Sequence, residues 1–280
     1  TQAVKLRIKF QKNSYIILKI NKKSYKIFLE DIINEGSKTI FTDKWLSQLF
    51  KVGPFSYDHL NFLKYKKDKI VKGFTTNPSL MRQSGAKSYK SYSIKLLKNS
   101  NQKPVSLEVF SDNINEMYYQ GKIINNWSKN VYVKIPVVNT KGKFTGKIIK
   151  KLSHEKIKLN ITAVYTFEQV KKITKQLNKK TKAIISIFAG RAADMGKDPV
   201  PEFKKSISLA KNYKNVEILW ASVREPYNYL QSKQLGCHII TIPPSIIEKI
   251  EKFGRKSFQK LTIETVKAFL NDSNKSNFKI

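Results

Sequence analysis

Cysteine is almost absent from this 280-residue chain: Cys237 stands alone, so no disulfide can form within it. The three histidines, His59, His154 and His238, make no zinc-ligand spacing with it. No metal is expected. No apolar run approaches the ~18 residues that a membrane-spanning helix requires. The chain begins at Thr1 without the basic-then-apolar pattern of a secretory leader. These absences lead us to expect a soluble, cytoplasmic protein of a reducing compartment, with no membrane partner.

Acidic residues are also scarce, 20 against 54 basic ones, for a net charge of +34. Such a charge raises the case for a polyanion partner. Arginine, however, is nearly as rare as cysteine: Arg7, Arg82, Arg191, Arg224 and Arg255 are the five present. Base-edge readers and phosphate clamps favour arginine, and no recognition-helix, RNP or zinc-finger pattern occurs. The lysines are spread along the whole chain, as a bias of solvated positions would spread them. No nucleic-acid partner is expected; a non-catalytic, polyanion-binding barrel is kept as the rival from another class.

What is present is an alternation. Strand-like runs rich in Val, Ile and Phe fall at Lys38–Asp43, Lys72–Asn77, Val105–Phe110, Val131–Pro136, Leu159–Val164, Ala183–Gly190, Glu217–Ser222 and His238–Pro243. Segments with apolar residues at three-to-four spacing lie between them: Asp112–Trp127, Thr145–Leu152, Phe167–Asn178, Glu202–Tyr213 and Pro226–Leu235. Thr166 with Gln169 and Ser245 with Glu248 have capping-box spacing, and Gly236 sits where a glycine would end a helix. Eight such units predict an α/β protein with a (β/α)8 TIM barrel at 37–280. No glycine-rich dinucleotide fingerprint follows the first strand, so an open Rossmann sheet is disfavoured and no cofactor is expected. Residues 1–36 do not fit the repeat. Leu6–Phe10, Tyr15–Ile20 and Tyr25–Leu29 predict a short N-terminal β appendage or the remnant of an upstream domain. Ser257–Asp272 predicts a final amphipathic helix before a polar end.

Polar residues in the strands keep largely to one side-chain parity. Asn160, Thr162 and Val164 oppose Leu159, Ile161 and Ala163; Ser186 and Phe188 oppose Ile185 and Ile187; Ser222 and Arg224 oppose Ala221 and Val223. Glu108 opposes Leu107 and Val109, and Thr75 and Asn77 extend the second strand. One parity of a barrel strand faces the helices and the other the axis, with active sites at the carboxyl ends. Lys134, within Val131-Tyr132-Val133-Lys134-Ile135-Pro136, belongs to the axial set. A desolvated amine there would be a nucleophile toward carbonyls. The plainer reading is a lysine that snorkels to the strand end and pairs with a carboxylate.

These motifs together resemble the transaldolase family. Gly73-Phe74-Thr75-Thr76-Asn77-Pro78-Ser79-Leu80 is similar to its TTNPS motif, and Val133-Lys134-Ile135-Pro136 to its Schiff-base strand. Leu159–Thr162, Ser186–Arg191, Ala221–Arg224 and Ile242–Pro244 follow in the family's order, so the resemblance covers roughly 38–270. It implies a class I aldolase barrel in which Lys134 condenses with the C2 ketone of a ketose phosphate. Asp43, in Ile40-Phe41-Thr42-Asp43, fits the family's first-strand pattern and would take the C4 hydroxyl proton. Ile27-Phe28-Leu29-Glu30 competes as that strand, which would make Glu30 or Asp31 the acid. With Asp43 as the acid, the path to Gly73 is about ten residues longer than in the family, and Phe50–His59 is the expected insertion.

The same resemblance gives Glu108 and Thr162 a proton-relaying water, gives Asn77, Asn160 and Ser186 the substrate's three-carbon end, and counts Thr75 among the substrate-binding residues. Arg191, Arg224 and Ser222 would hold the phosphate. Phe188 stands where free aldolases of the family carry tyrosine, which favours transfer. The implied activity is transfer of a dihydroxyacetone unit from sedoheptulose 7-phosphate or fructose 6-phosphate to an aldose phosphate, as in the pentose phosphate pathway. A fructose-6-phosphate aldolase-like activity is the alternative. Relatives form dimers or larger rings, so a homo-oligomer is among the states the resemblance allows.

Overall fold

Short β-branched runs alternate with amphipathic segments, and this produces a parallel sheet wound in chain order. A computed structural model describes residues 15–20, 23–28, 53–54, 71–253 and 256–276. The chain divides into two compact units, Thr1–Asp43 and Lys44–Ile280.

In the first unit β1 (Tyr15–Ile20) and β2 (Lys23–Phe28) form an antiparallel hairpin, in unbroken register from Tyr15↔Phe28 to Ile20↔Lys23. Ile27 and Phe28, weighed above as the start of a first barrel strand, therefore pair with β1 and not with the parallel sheet. Leu6–Phe10, Glu30, Asp31, Lys38–Asp43 and with them Asp43 lie outside the described residues.

The second unit holds β3 (Gly53–Pro54), β4 (Phe74–Thr75), β5 (Val105–Glu108), β6 (Val131–Pro136), β7 (Leu159–Val164), β8 (Ala183–Phe188), β9 (Val216–Ala221) and β10 (Ile239–Ile240). All are parallel, and each pairs with its neighbours in sequence, which is the winding of a (β/α)8 barrel. Among the described residues no ladder joins β10 to β3. Helices separate the strands: α1 (Pro78–Gln83), α2 (Tyr89–Asn99), α3 (Ile114–Asn125), α4 (Gly146–His154), α5 (Phe167–Thr174), α6 (Ala189–Asp194), α7 (Val200–Ala210), α8 (Tyr227–Gln234), α9 (Pro244–Phe253) and α10 (Phe258–Ser276).

Three details depart from the sequence expectations. Gly53–Pro54, inside the stretch read as an insertion, is the strand that pairs with β4. Two residues, one glycine and one proline, carry no alternation, and proline is tolerated only at such a margin of a sheet. Helices α1, α2 and α6 were not expected; α6 starts directly after β8 and is only six residues long. Helix α9 begins at Pro244, so Ser245 lies inside its first turn and is not its N-cap. The Thr166–Gln169 capping box does form, and Gly236 follows α8 at φ +69°.

Side-chain parity divides the core in two. Leu107, Val133, Ile135, Ile161, Ile185, Ile187, Ile218 and Trp220 face outward and pack with Ile149, Leu152, Val170, Ile173 and Phe203 of the helices. Tyr132, Ile184, Leu219, Ala221 and Ile239 form a separate axial cluster, with Phe188 against it. Backbone irregularities correct two parity readings. A register shift between Ile161 and Val164, with Ala163 at φ +58°, turns Val164 into the outer core. On β9 it is Leu219 and Ala221 that face the axis. Ser222 then enters the left-handed region at φ +66°, and this breaks the alternation and turns the chain toward the site.

Candidate active site

The carboxyl ends of β4 to β10 surround a cleft of about 440 Å³. Thr75, Asn77, Lys134, Asn160, Thr162, Ser186, Phe188, Arg191, Ser222 and Arg224 all line it. Glu108 reaches it through Lys134. Asp43 and its alternatives Glu30 and Asp31 lie outside the described residues.

Strand register builds the lower layer, because Glu108, Lys134 and Asn160 are successive cross-strand partners on β5, β6 and β7. Equivalent positions on neighbouring parallel strands point to the same side, so the three converge. Lys134 Nζ lies 3.0 Å from Glu108 Oε2 and 3.5 Å from the Thr76 carbonyl oxygen. Its side chain is only 12% exposed. The plainer reading, pairing with a carboxylate, is met, and the ion-paired lysine lines the cleft. Tyr89 holds the strand end that carries Glu108, donating its hydroxyl to the Glu108 carbonyl oxygen at 2.7 Å. Burial and the Glu108 charge raise the Tyr89 hydroxyl above the ordinary tyrosine range, so it stays a donor.

Asn160 is fixed from both ends. Ser186 Oγ donates to Asn160 Oδ1 at 2.7 Å, and Asn160 Nδ2 donates to Ser106 Oγ at 3.0 Å. All three residues are buried. Ser106 was missed from sequence although it shares the parity of Glu108, two residues on. Thr162 is different: its hydroxyl is buried and has no hydrogen-bond partner among the described residues. A buried hydroxyl without a protein partner costs free energy unless water or a ligand satisfies it, and this one lines the cleft. Asn77 has a structural task as well. It is the N-cap of α1, with Oδ1 accepting from Leu80 N at 2.8 Å, and its amide group remains a donor.

Two arginines, Arg191 and Arg224, line the same cleft. Arg191 lies over the Phe188 ring, 5.4 Å from its centroid. Arg224 is paired with Asp194 of α6 at 2.7 Å, and its backbone N–H is held by Asn228 Oδ1 at 2.9 Å. The hydrogen bonds from the Arg224 guanidinium, reinforced by the charges of Arg224 and Arg191, lower the Asp194 carboxyl below the ordinary aspartate range. Gly190 makes this corner buildable, since a Cβ there would fall 1.6 Å from the Ser222 carbonyl oxygen. Thr76, Leu80, Leu219, Ala221, Val223, Thr241, Pro243 and Ser245 also line it and were not named as site residues from sequence. Thr241 lies in the predicted eighth strand at the parity of the axial Ile239, so alternation could have found it, whereas Ser245, in the first turn of α9, is beyond the reach of strand parity.

No group of metal-ligating side chains occurs among the described residues, and no helix there is long and apolar enough to cross a membrane.

Comparison with known proteins agrees with this geometry. The profile of the family described as Transaldolase/Fructose-6-phosphate aldolase matches residues 54–280. A "Probable transaldolase" of Herpetosiphon aurantiacus is 30% identical over 204 residues, 72% of this chain and 85% of that protein. Proteins of the same name from Nitrosopumilus maritimus and Bdellovibrio bacteriovorus are 32% and 34% identical. The first match covers 70% of this chain and 87% of the relative, the second 75% and 90%. With its barrel strands, lysine–glutamate pair and profile match in the same stretch, this chain belongs to the transaldolase/fructose-6-phosphate aldolase family.

Proposed function

We propose that the protein is a transaldolase that moves a dihydroxyacetone unit from a ketose phosphate, such as sedoheptulose 7-phosphate or fructose 6-phosphate, to an aldose phosphate. The observation that carries this reading is the Lys134–Glu108 pair at 3.0 Å, inside a cleft that two arginines also line. The Lys134 ammonium gives its proton to Glu108, and the free amine adds to the C2 carbonyl of the ketose. The carbinolamine loses its oxygen as water, with Glu108 returning the proton and the Thr162 hydroxyl holding that water. Removal of the C4 hydroxyl proton breaks the C3–C4 bond and releases an aldose phosphate, leaving the three-carbon unit as an enamine. Attack of the enamine on a second aldose phosphate, then hydrolysis, frees Lys134.

Asn160, Ser186 and the Asn77 amide bind the hydroxyls of the three-carbon unit in this scheme. Arg191, Arg224 and Ser222 take the phosphate, for which the guanidinium fork is suited. Asp43 is the acid that the sequence nominates for the C4 hydroxyl. Phe188 offers no hydroxyl to assist release of free dihydroxyacetone, which supports transfer over simple cleavage, the aldolase reading being the second one. Borohydride added with fructose 6-phosphate should fix a covalent adduct on Lys134, and Lys134→Met should fix none. Equal labelling of both proteins would end the Schiff-base scheme. Phe188→Tyr should raise release of dihydroxyacetone in the absence of an acceptor.

A further inference from the structure

Asp194 has no part in the scheme above, yet it makes the closest contacts to one of the phosphate-facing arginines. It is the last residue of α6, the short helix that opens directly from β8. Arg224 Nε donates to Asp194 Oδ1 at 3.2 Å and to Oδ2 at 3.0 Å, and Arg224 Nη2 donates to Oδ2 at 2.7 Å. The carboxylate therefore grips the guanidinium from the side. A guanidinium has five N–H groups; this grip uses the one on Nε and one on Nη2. Both hydrogens of Nη1 and the second of Nη2 are left, and these form the end-on fork that a phosphate takes in two parallel bonds.

The rest of the arginine is fixed as well. Asn228 Oδ1 holds its backbone N–H at 2.9 Å. Its stem crosses Gly190 so closely that a Cβ there would lie 3.0 Å from Arg224 Cγ. A long side chain thus runs from an anchored backbone, over a glycine, to a carboxylate that sets the plane of its head.

We propose that Asp194 is the positioning residue of the phosphate clamp: its side-on pairing orders the Arg224 guanidinium at the cleft and leaves the end-on N–H pair for the phosphate of the sugar. This rests on the phosphate assignment made above. Asp194 and Arg224 are each about half exposed, 50% and 49%, and ion pairs so placed add little to folding. The consequence falls on binding, since an arginine not held in advance must be immobilised by the ligand.

Calorimetric titration of the full chain with inorganic phosphate tests this. Asp194→Ala should weaken phosphate binding about three- to tenfold, the cost of ordering one rotamer-rich side chain, and leave the melting temperature within a few degrees. With fructose 6-phosphate, KM should rise by more than kcat falls. Tighter phosphate binding by Asp194→Ala would overturn the proposal, because Asp194 would then compete with the ligand for Arg224. Unchanged binding would overturn it too, the pair being an idle surface contact, as would a wild-type protein that binds no phosphate. Failure of the Schiff-base scheme shows separately, as a wild-type protein that borohydride and unphosphorylated dihydroxyacetone do not label at Lys134.

Discussion

The carboxylate of Glu108 and the ammonium of Lys134 face each other at 3.0 Å from adjacent strands, as cross-strand partners in the parallel register. An ammonium so paired is not a nucleophile; in the proposed scheme it becomes one when the proton crosses to the carboxylate. Glu108→Gln keeps a hydrogen-bond acceptor of the same shape but cannot take the proton. It should slow imine formation by about 10²–10⁴-fold, the range of general acid–base assistance. The time course of borohydride trapping measures this, and a wild-type rate in the variant would remove Glu108 from the proton path.

Asn160 joins Ser186 to Ser106 through both ends of its amide, with all three residues buried and with Asn160 and Ser186 lining the cleft. Asn160→Ala would strand two hydroxyls and open a small cavity. A buried polar group left without a partner costs about 1–3 kcal/mol. Chemical denaturation should therefore show a loss of about 2–4 kcal/mol, whereas Ser106→Ala, which strands one amide hydrogen, should lose less. A loss under 1 kcal/mol for Asn160→Ala would mean that water fills the gap.

How much of this was legible beforehand follows from backbone regularity. β6 and β7 begin and end where the sequence predicts, because six-residue segments in which half the side chains are β-branched leave little freedom in their limits. Lys134, Glu108 and Asn160 could be placed for the same reason: alternation assigns a face, and parallel register then gathers the faces. The reading failed where the backbone leaves the alternation. Ala163 and Ser222 both adopt positive φ without being glycine, so Val164 and Ala221 occupy sides opposite to those that counting assigns. β3 is two residues long and contains a proline, which no periodicity can announce. Contacts that depend on rotamers, such as Asp194 on Arg224 or Tyr89 on the Glu108 carbonyl, leave no trace in spacing.

Gly190 is the residue whose smallness the corner formed with Ser222 and Arg224 requires. A methyl group at its Cα would sit 1.6 Å from the Ser222 carbonyl oxygen and 2.8 Å from its carbon. Both are backbone atoms in a segment already held at positive φ, so neither can yield cheaply. Gly190→Ala should destabilise the fold by about 3 kcal/mol, the upper end of ordinary overpacking. Phosphate affinity should fall as well, because the displaced segment carries Arg224. Retained affinity together with retained stability would show that the two chain segments can separate.

Cys237 gives a pH dependence with a defined sign. Its thiol turns inward, with Sγ 3.3 Å from the Ile218 carbonyl oxygen and 3.4 Å from that of Ile239. Burial pushes the thiol up to about 12 from an ordinary 9.0. Folding therefore favours the protonated form, and the unfolded chain gives up its proton first. The resulting stability is complete below pH 9 and drains away as pH rises from there toward 12, at about 1.4 kcal/mol per pH unit. Lysines and tyrosines titrate in the same window, so the informative quantity is the difference from Cys237→Ala, which lacks the group. Urea denaturation at pH 8 and pH 10.5 should show the wild type losing about 1–2 kcal/mol more than the variant. In parallel, iodoacetamide at pH 8 should alkylate the native protein far more slowly than the urea-unfolded chain, since the thiolate is the reacting form. Equal pH slopes in the two proteins would mean that the thiol meets water in the folded state.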